Sequence, residues 1–254
     1  MAMRGLGQIA ELTQIACPDI GVITNVGTAH IGLLGSEEAI ASAKCELLAH
    51  MPKTSVAILN ADNPLLMETA QGIWSEKTIS YGLENGNFRG RLLDANTLEV
   101  EGKKFPLPLL GRHHALNYLA ALAVAKVLDL DWSPLTAGLS VNLPSGRAQR
   151  YEFANNVVIL DETYNAGLES MLASLQLLAD TPGNRRIAVL GTMKELGERS
   201  PEFHQQVGTA VRDLNLDALF ILADPLEAEA MALGAKGVPY IEIEDLALDK
   251  AHDR

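Results

Sequence analysis

Residues 19–60 read DIGVITNVGTAHIGLLGSEEAIASAKCELLAHMPKTSVAILN, and their rhythm decides the fold class. The run DIGVITN (19–25) is apolar, too short for a helix and followed by Gly27, which predicts a buried parallel strand. Ser36-Glu37-Glu38 then opens a helix, with Ser36 as its cap and two acids in the first turn. Ile40, Ala43, Leu47 and Leu48 form its apolar stripe, and Pro52 closes it. SVAILN (55–60) is a second short apolar strand. Strand, crossover helix and strand make a parallel α/β unit.

Working outward, residues 78–110 carry short strand-like pieces broken by Gly82, Asn85-Gly86, Gly90 and Gly102. Asn85-Gly86 signals a hairpin turn, so an antiparallel flap or sheet extension is expected. Residues 112–128 read as a helix apolar on most sides, and a short helix follows near 133–140. Pro144-Ser145-Gly146 reads as a hinge. Beyond it, strand 157–161 leads to a helix from about 168, and strand 187–191 to a helix near 201 with Ser200 as cap and Pro201 first. Strand 218–222, a helix over 226–234 and strand 239–243 complete the pattern. This predicts an open, doubly wound parallel sheet, Rossmann-like, and two units, 1–143 and 144–254.

Composition excludes several function classes. Of 254 residues, 20 are Lys or Arg and 32 Asp or Glu, a net charge of −12, which argues against a general nucleic-acid binder. Aromatics at 5% argue against a base-stacking platform. Cys17 and Cys45 make no disulfide framework. No stretch approaches the roughly 18–20 apolar residues that span a bilayer, and the first residues lack a secretory apolar region. A soluble cytoplasmic protein is expected.

Open α/β sheets bind ligands beyond the carboxyl ends of their strands, so the informative loops follow residues 25, 60, 161 and 191. The first, Thr24 to His30, places His30 and Thr28 in small and polar company. His30 reads as a metal ligand or proton donor, with a surface or structural histidine as the alternative. Lys44 falls on the apolar stripe, four residues from Ile40 and from Leu48, where a charge is costly unless paired. It reads either as a snorkelling lysine or as one paired, depressed or modified. Asn60-Ala61-Asp62-Asn63-Pro64 reads first as an Asx turn and helix cap. Gly111-Arg112-His113-His114 opens the apolar helix, whose free N–H groups suit anions. Asn117, one turn in, reads either an adenine edge or solvent. Arg147 at the hinge suits a phosphate clamp or a surface ion pair. Asp161-Glu162-Thr163-Tyr164-Asn165 puts two adjacent acids at a strand end. GxxxxGK[ST] does not occur in the chain.

Taken together, MRGLGQIAELTQIACPDIGVITNVGTAHIGLLGSEEAIASAKCEL (3–47), NADN (60–63), GRHHALNYLAALAVA (111–125), SGR (145–147), DETYNAGLESM (161–171) and GTMKELGE (191–198) resemble the Mur ligase family. The resemblance is strongest to its members that add D-alanyl-D-alanine to UDP-MurNAc-tripeptide. It implies an ATP-dependent amide ligase of peptidoglycan synthesis, using ATP and Mg2+ and an acyl phosphate intermediate. It also implies a fragment, holding the later part of the central ATPase domain (1–143) and a C-terminal Rossmann-like domain truncated at its end (144–254). The N-terminal domain, the P-loop and a metal-binding Glu before the Met matching Met1 are absent. Such a fragment is expected to be inactive alone and to associate through exposed sheet edges.

Carried over residue by residue, the resemblance makes His30 a magnesium ligand and Lys44 a carbamylated lysine helping to hold the metal. Asn117 lies near the adenine, and Arg147 reaches the phosphates. Glu162 and Tyr164 belong to the loop closing over nucleotide and amine. Thr28, Asp161 and Asn165 are expected at the substrates. Four departures stand out: His114 where Asn is common, Glu162 for Asp, Gly167-Leu168 for Asn-Pro and Thr192 for Asp. The alternatives are a sister Mur ligase, a folylpolyglutamate synthase relative, or a non-catalytic nucleotide-binding or interaction protein.

Overall fold

The rhythm at 19–60 folds as its residues imply. In a computed structural model that describes residues 1–244, β1 (Ile20–Ile23) pairs in parallel with β2 (Val56–Asn60), Val22 facing Ile58. The last residues, Ala251 to Arg254, lie outside the described ones. The chain divides into two units, Met1–Asn142 and Leu143–Arg254.

The first unit opens with α1 (Gln8–Ala16), followed after β1 by a short α2 (Ile31–Leu34) and by α3 (Glu37–His50). Ser36 caps α3, its Oγ accepting the Ala39 N–H at 3.1 Å. Ser36→Ala is expected to cost about 1 kcal/mol, read as a lower midpoint in urea with an unchanged slope. Besides the predicted stripe, Ala41 and Cys45 are buried, because α3 packs on α1, α4 and β1 at once. α4 (Pro64–Gln71) and β3 (Thr78–Gly82) follow, and β3 extends the parallel sheet with Ile79 beside Ile58.

β4 (Phe88–Asp94), β5 (Thr97–Val100) and β6 (Lys103–Pro106) form the expected antiparallel extension. The Asn85-Gly86 hairpin is corrected. Gly86 does turn the chain, at φ 104°, but β3 and β4 run parallel, Tyr81 beside Phe88. The N–H groups of residues 83–85 go to the Asp62 carboxylate instead of a hairpin ladder. α5 (Arg112–Val127) buries Leu119 and Leu122 against Tyr81, Leu98 and Phe105 in the core of this unit. The expected helix near 133–140 is one 3-10 turn, Ser133–Ala137.

The second unit holds β7 (Gln149–Phe153), β8 (Val157–Asp161), α6 (Leu168–Asp180), β9 (Ile187–Gly191), α7 (Ser200–Asp213), β10 (Ala218–Leu222), α8 (Pro225–Gly234) and β11 (Tyr240–Ile243). Its parallel sheet has the order β11-β10-β9. Two expectations are corrected here. Among the described residues β8 is not hydrogen-bonded into the parallel sheet; it pairs antiparallel with β7, Phe153 opposite Val157 and Gln149 opposite Asp161. Asn155 and Asn156 make that turn at φ 65° and 60°, a conformation asparagine tolerates better than most residues. Ser200 does not cap α7. Arg199 takes the cap position, and the Ser200 Oγ donates to Glu227 Oε1 at 2.8 Å.

α7 and α8 pack closely through two glycines. A Cβ on Gly208 would lie 1.9 Å from the Met231 carbonyl oxygen, and one on Gly234 would lie 2.1 Å from that of Gln205. Among the described residues no helix is long and apolar enough to cross a membrane.

Candidate functional site

In the first unit, two asparagines join the loops at the carboxyl ends of β1 and β2. Asn60 is buried, its Nδ2 donating to the Thr24 carbonyl at 2.9 Å and its Oδ1 accepting the Asp62 N–H at 3.0 Å. Asn63 caps α4 by accepting the Leu66 N–H at 2.9 Å. Its Nδ2 reaches back to the Val26 carbonyl at 2.7 Å and Asn25 Oδ1 at 2.8 Å. The Asx reading of this segment is therefore right locally, and each residue also makes a long-range bond.

Lys44 lies half-buried between Ile40 and Leu48, and its Nζ donates to the Asn25 carbonyl at 2.7 Å. It therefore meets the loop that carries Thr28 and His30. Thr28 is buried, and its carbonyl accepts the Ile31 N–H at 3.0 Å. His30 is half-buried and takes φ 68°, starting α2 through its carbonyl. Among the described residues no group of three His, Cys, Asp or Glu side chains is placed to hold a metal. His30 and the Lys44 amine alone do not fit a magnesium ion, which takes oxygen ligands.

Asp62 has a larger part than sequence reasoning assigned. Its carboxylate accepts N–H bonds from Leu83 at 2.7 Å, Asn85 at 2.8 Å and Glu84 at 3.1 Å. Arg112 Nη2 lies 3.6 Å away, and Arg112 Nη1 is 3.2 Å from Glu84. Burial alone would raise the Asp62 carboxyl, but these donors and Arg112 outweigh it and hold it below the usual range. The link fastens the NADN loop to the start of α5. The sequence signal for it was the turn at 83–86, which aims consecutive N–H groups at one point. Beside it, Arg89, Arg91, Arg112, Glu84 and Glu99 line an open cavity of about 540 Å³.

At the start of α5 the His113 and His114 rings lie 3.9 Å apart between centroids. Burial, then the neighbouring His113, pushes the His114 imidazole down to about 4, so it is neutral at physiological pH. His114 Nε2 and the Tyr118 hydroxyl are buried with no partner among the described residues. Asn117, between them in sequence, is exposed on the helix.

In the second unit, the β7–β8 pairing brings SGR beside DETYN. The Arg147 guanidinium lies 3.8 Å from the centroid of the Tyr164 ring. The Gly146 carbonyl accepts the Tyr164 N–H at 2.9 Å, and Glu162 Oε2 accepts the Ala148 N–H at 3.1 Å. Arg147, Glu162 and Tyr164 thus form one cluster with an exposed guanidinium. Asp161 turns into its own loop, accepting from the Thr163 hydroxyl at 2.7 Å, and Asn165 is exposed. At the ends of β9 and β10, Lys194 donates to Asp224 at 2.6 Å, and Thr192 Oγ1 accepts the Asp224 N–H at 2.8 Å.

Comparison with known proteins bears on the family and the fold. The Mur ligase middle domain matches residues 1–125, and the Mur ligase glutamate ligase domain matches residues 146–252. The UDP-N-acetylmuramoyl-tripeptide–D-alanyl-D-alanine ligase of Synechocystis is 64% identical over 238 residues, 94% of this chain and 52% of that protein. The ligase of the same name from Escherichia coli is 32% identical over 243 residues, 90% of this chain and 53% of its own length. The chain thus spans about half the length of these curated relatives. The crystal structure of MurF from Acinetobacter baumannii superposes with a TM-score of 0.82 at 27% identity, over 94% of this chain and 54% of that one. MurF from Thermotoga maritima, in complex with ADP, gives 0.77 at 29% identity, over 96% and 62%. With residues 1–125 and 146–252 both matched by its domain models, the chain belongs to the Mur ligase family.

Proposed function

We propose that this chain is the middle and C-terminal part of a cytoplasmic, ATP-dependent ligase that joins D-alanyl-D-alanine to UDP-MurNAc-tripeptide. The 64% identity to the Synechocystis ligase carries the reading. The γ-phosphoryl group of ATP passes to the tripeptide's terminal carboxylate. The amine of D-alanyl-D-alanine then attacks the acyl carbon, the C–N bond forms, and phosphate leaves with the carboxylate oxygen.

The residues divide this work by place. The Arg147 guanidinium, over the Tyr164 ring at 3.8 Å from its centroid, offers its N–H donors to phosphate oxygens. Glu162 fixes that loop through the Ala148 N–H. Asn117 faces the adenine, and Thr28, Asp161 and Asn165 lie towards the substrates. Carbamylation of Lys44 would replace its ammonium by an anion carrying oxygen, the donor type that Mg2+ takes and His30 lacks. Bound Mg2+ would neutralise phosphate charge. No phosphate cradle of the GxxxxGK[ST] type lies in these residues, so polypeptide outside them supplies it in this reading.

A hybrid tests this, with the chain replacing the matching half of the Synechocystis ligase. It is expected to release phosphate from ATP only when both tripeptide and D-alanyl-D-alanine are present. Arg147→Ala in the hybrid is expected to lower that rate about 10²-fold, the usual loss for one charge-stabilising donor. A folded hybrid that binds ADP yet never releases phosphate would favour the non-catalytic nucleotide-binding reading. The chain alone is proposed to associate through the open sheet edge of its first unit, where β1 is terminal among the described residues. Light scattering is expected to give a mass above 27.3 kDa.

A further inference from the structure

The loop after β9, residues 191–197, is held from beneath by a side chain that the ligase reading leaves unused. His204, on α7, is fully buried at 0% exposure. Its Nε2 accepts the Met193 N–H at 2.9 Å. Its Nδ1 lies 2.7 Å from the Ser200 carbonyl oxygen, which can only accept, so Nδ1 carries the proton. One neutral tautomer therefore serves as acceptor towards the loop and donor towards the helix. Ser200 Oγ donates in turn to Glu227 on α8, at 2.8 Å.

The loop needs such a tether. Glu195 and Gly197 take φ 63° and 62°, a left-handed turn that is strained at the glutamate. Met193 and Leu196 point inward and are buried. On the outer side, Lys194 and Thr192 meet Asp224 at the carboxyl ends of β9 and β10. That is the edge where open α/β sheets receive ligands.

We propose that His204 is a positioning residue, a neutral acceptor that holds the Met193 N–H and so sets Thr192 and Lys194 at the ligand edge of this unit. Protonation of its Nε2 would set two N–H donors against each other and release the loop. The charged groups facing it are Glu227 and Asp224 from the α8 side and Lys194 from the loop. Burial, the largest influence, lowers the imidazole below its ordinary 6.5, against the pull of the Ser200 carbonyl, Glu227 and Asp224. The tether therefore persists through neutral pH and is lost as pH falls through the lowered value. This role does not depend on which ligand the loop meets.

Nitrogen-resolved NMR of the whole chain tests it, with the pH lowered from neutral until the ring itself titrates, below the ordinary 6.5. The His204 ring is expected to show the Nδ1–H tautomer at neutral pH. Hydrogen-exchange protection of the Met193 amide is expected to fall with the midpoint of the ring's own titration, while the strand amides stay protected. His204→Phe removes the acceptor and is expected to lower Met193 protection about tenfold, the worth of one neutral hydrogen bond. His204→Gln places an amide oxygen near the Nε2 position, so protection should be kept and its acid dependence lost. An Nε2–H tautomer would overturn the proposal, as would Met193 protection that ignores the ring's titration. Should His204→Phe fail to fold, the wild-type titration and the glutamine variant still decide.

Discussion

Asp62→Asn is expected to destabilise the protein by about 2–4 kcal/mol. The carboxylate side chain is only 11% exposed. It accepts N–H bonds from Leu83, Glu84 and Asn85. An amide presents an NH2 group where one acceptor oxygen stood, so a donor meets donors and a buried N–H is left unpaired. Arg112 also loses the charge it faces at 3.6 Å. The effect depends on pH with a definite sign. The Asp62 carboxyl is held below its ordinary 3.8 in the folded state, so its contribution is present above that value. It is lost as pH falls through the lowered folded value. Urea unfolding of wild type and variant should therefore differ widely at neutral pH and converge in strong acid. An equal gap at both pH values would mean that shape, and not charge, is what the loop needs.

Gly208→Ala is expected to cost at least about 3 kcal/mol and to unfold the second unit at moderate temperature. Helix propensity argues the other way, since alanine is better than glycine by about 1 kcal/mol in a helix interior. Packing decides the sign. The new methyl carbon would lie 1.9 Å from the Met231 oxygen and 2.9 Å from the Ala235 nitrogen, both backbone atoms that cannot rotate away. Gly183→Ala is the control, because the atom nearest to its added methyl would be the Arg185 carbonyl oxygen at 3.8 Å, an ordinary contact. Thermal unfolding followed by circular dichroism should show a large drop for the first variant and little change for the second. Similar midpoints would show that α7 and α8 can separate cheaply.

The part of the site nearest to local chemistry was legible beforehand. Lys44 stood out because its spacing from Ile40 and Leu48 put a charge on an apolar face, and it lies half-buried there. Ser36 was recognisable as a cap because the bond it makes spans three residues. Asp62 was not, because its partners come from residues 83–85 and 112. The same holds for His204, whose polar role depends on Met193, on a different element.

The sequence by itself determined the alternation of strands and helices, most of their limits and the order of the motifs. These follow from periodicity, capping and turn chemistry, which act over a few residues. The ribbon of β7 and β8 shows what it left open. Val157 to Asp161 has the composition of a buried parallel strand, yet its partner is the neighbouring Gln149 to Phe153. Strand composition does not specify a partner, since backbone donors and acceptors are alike in every strand. That pairing alone sets Arg147 over Tyr164 and Glu162 under Ala148. Tertiary structure decided it, and with it the residues that stand together at the site, because hydrogen bonds between distant segments form only once the chain has chosen which strands meet.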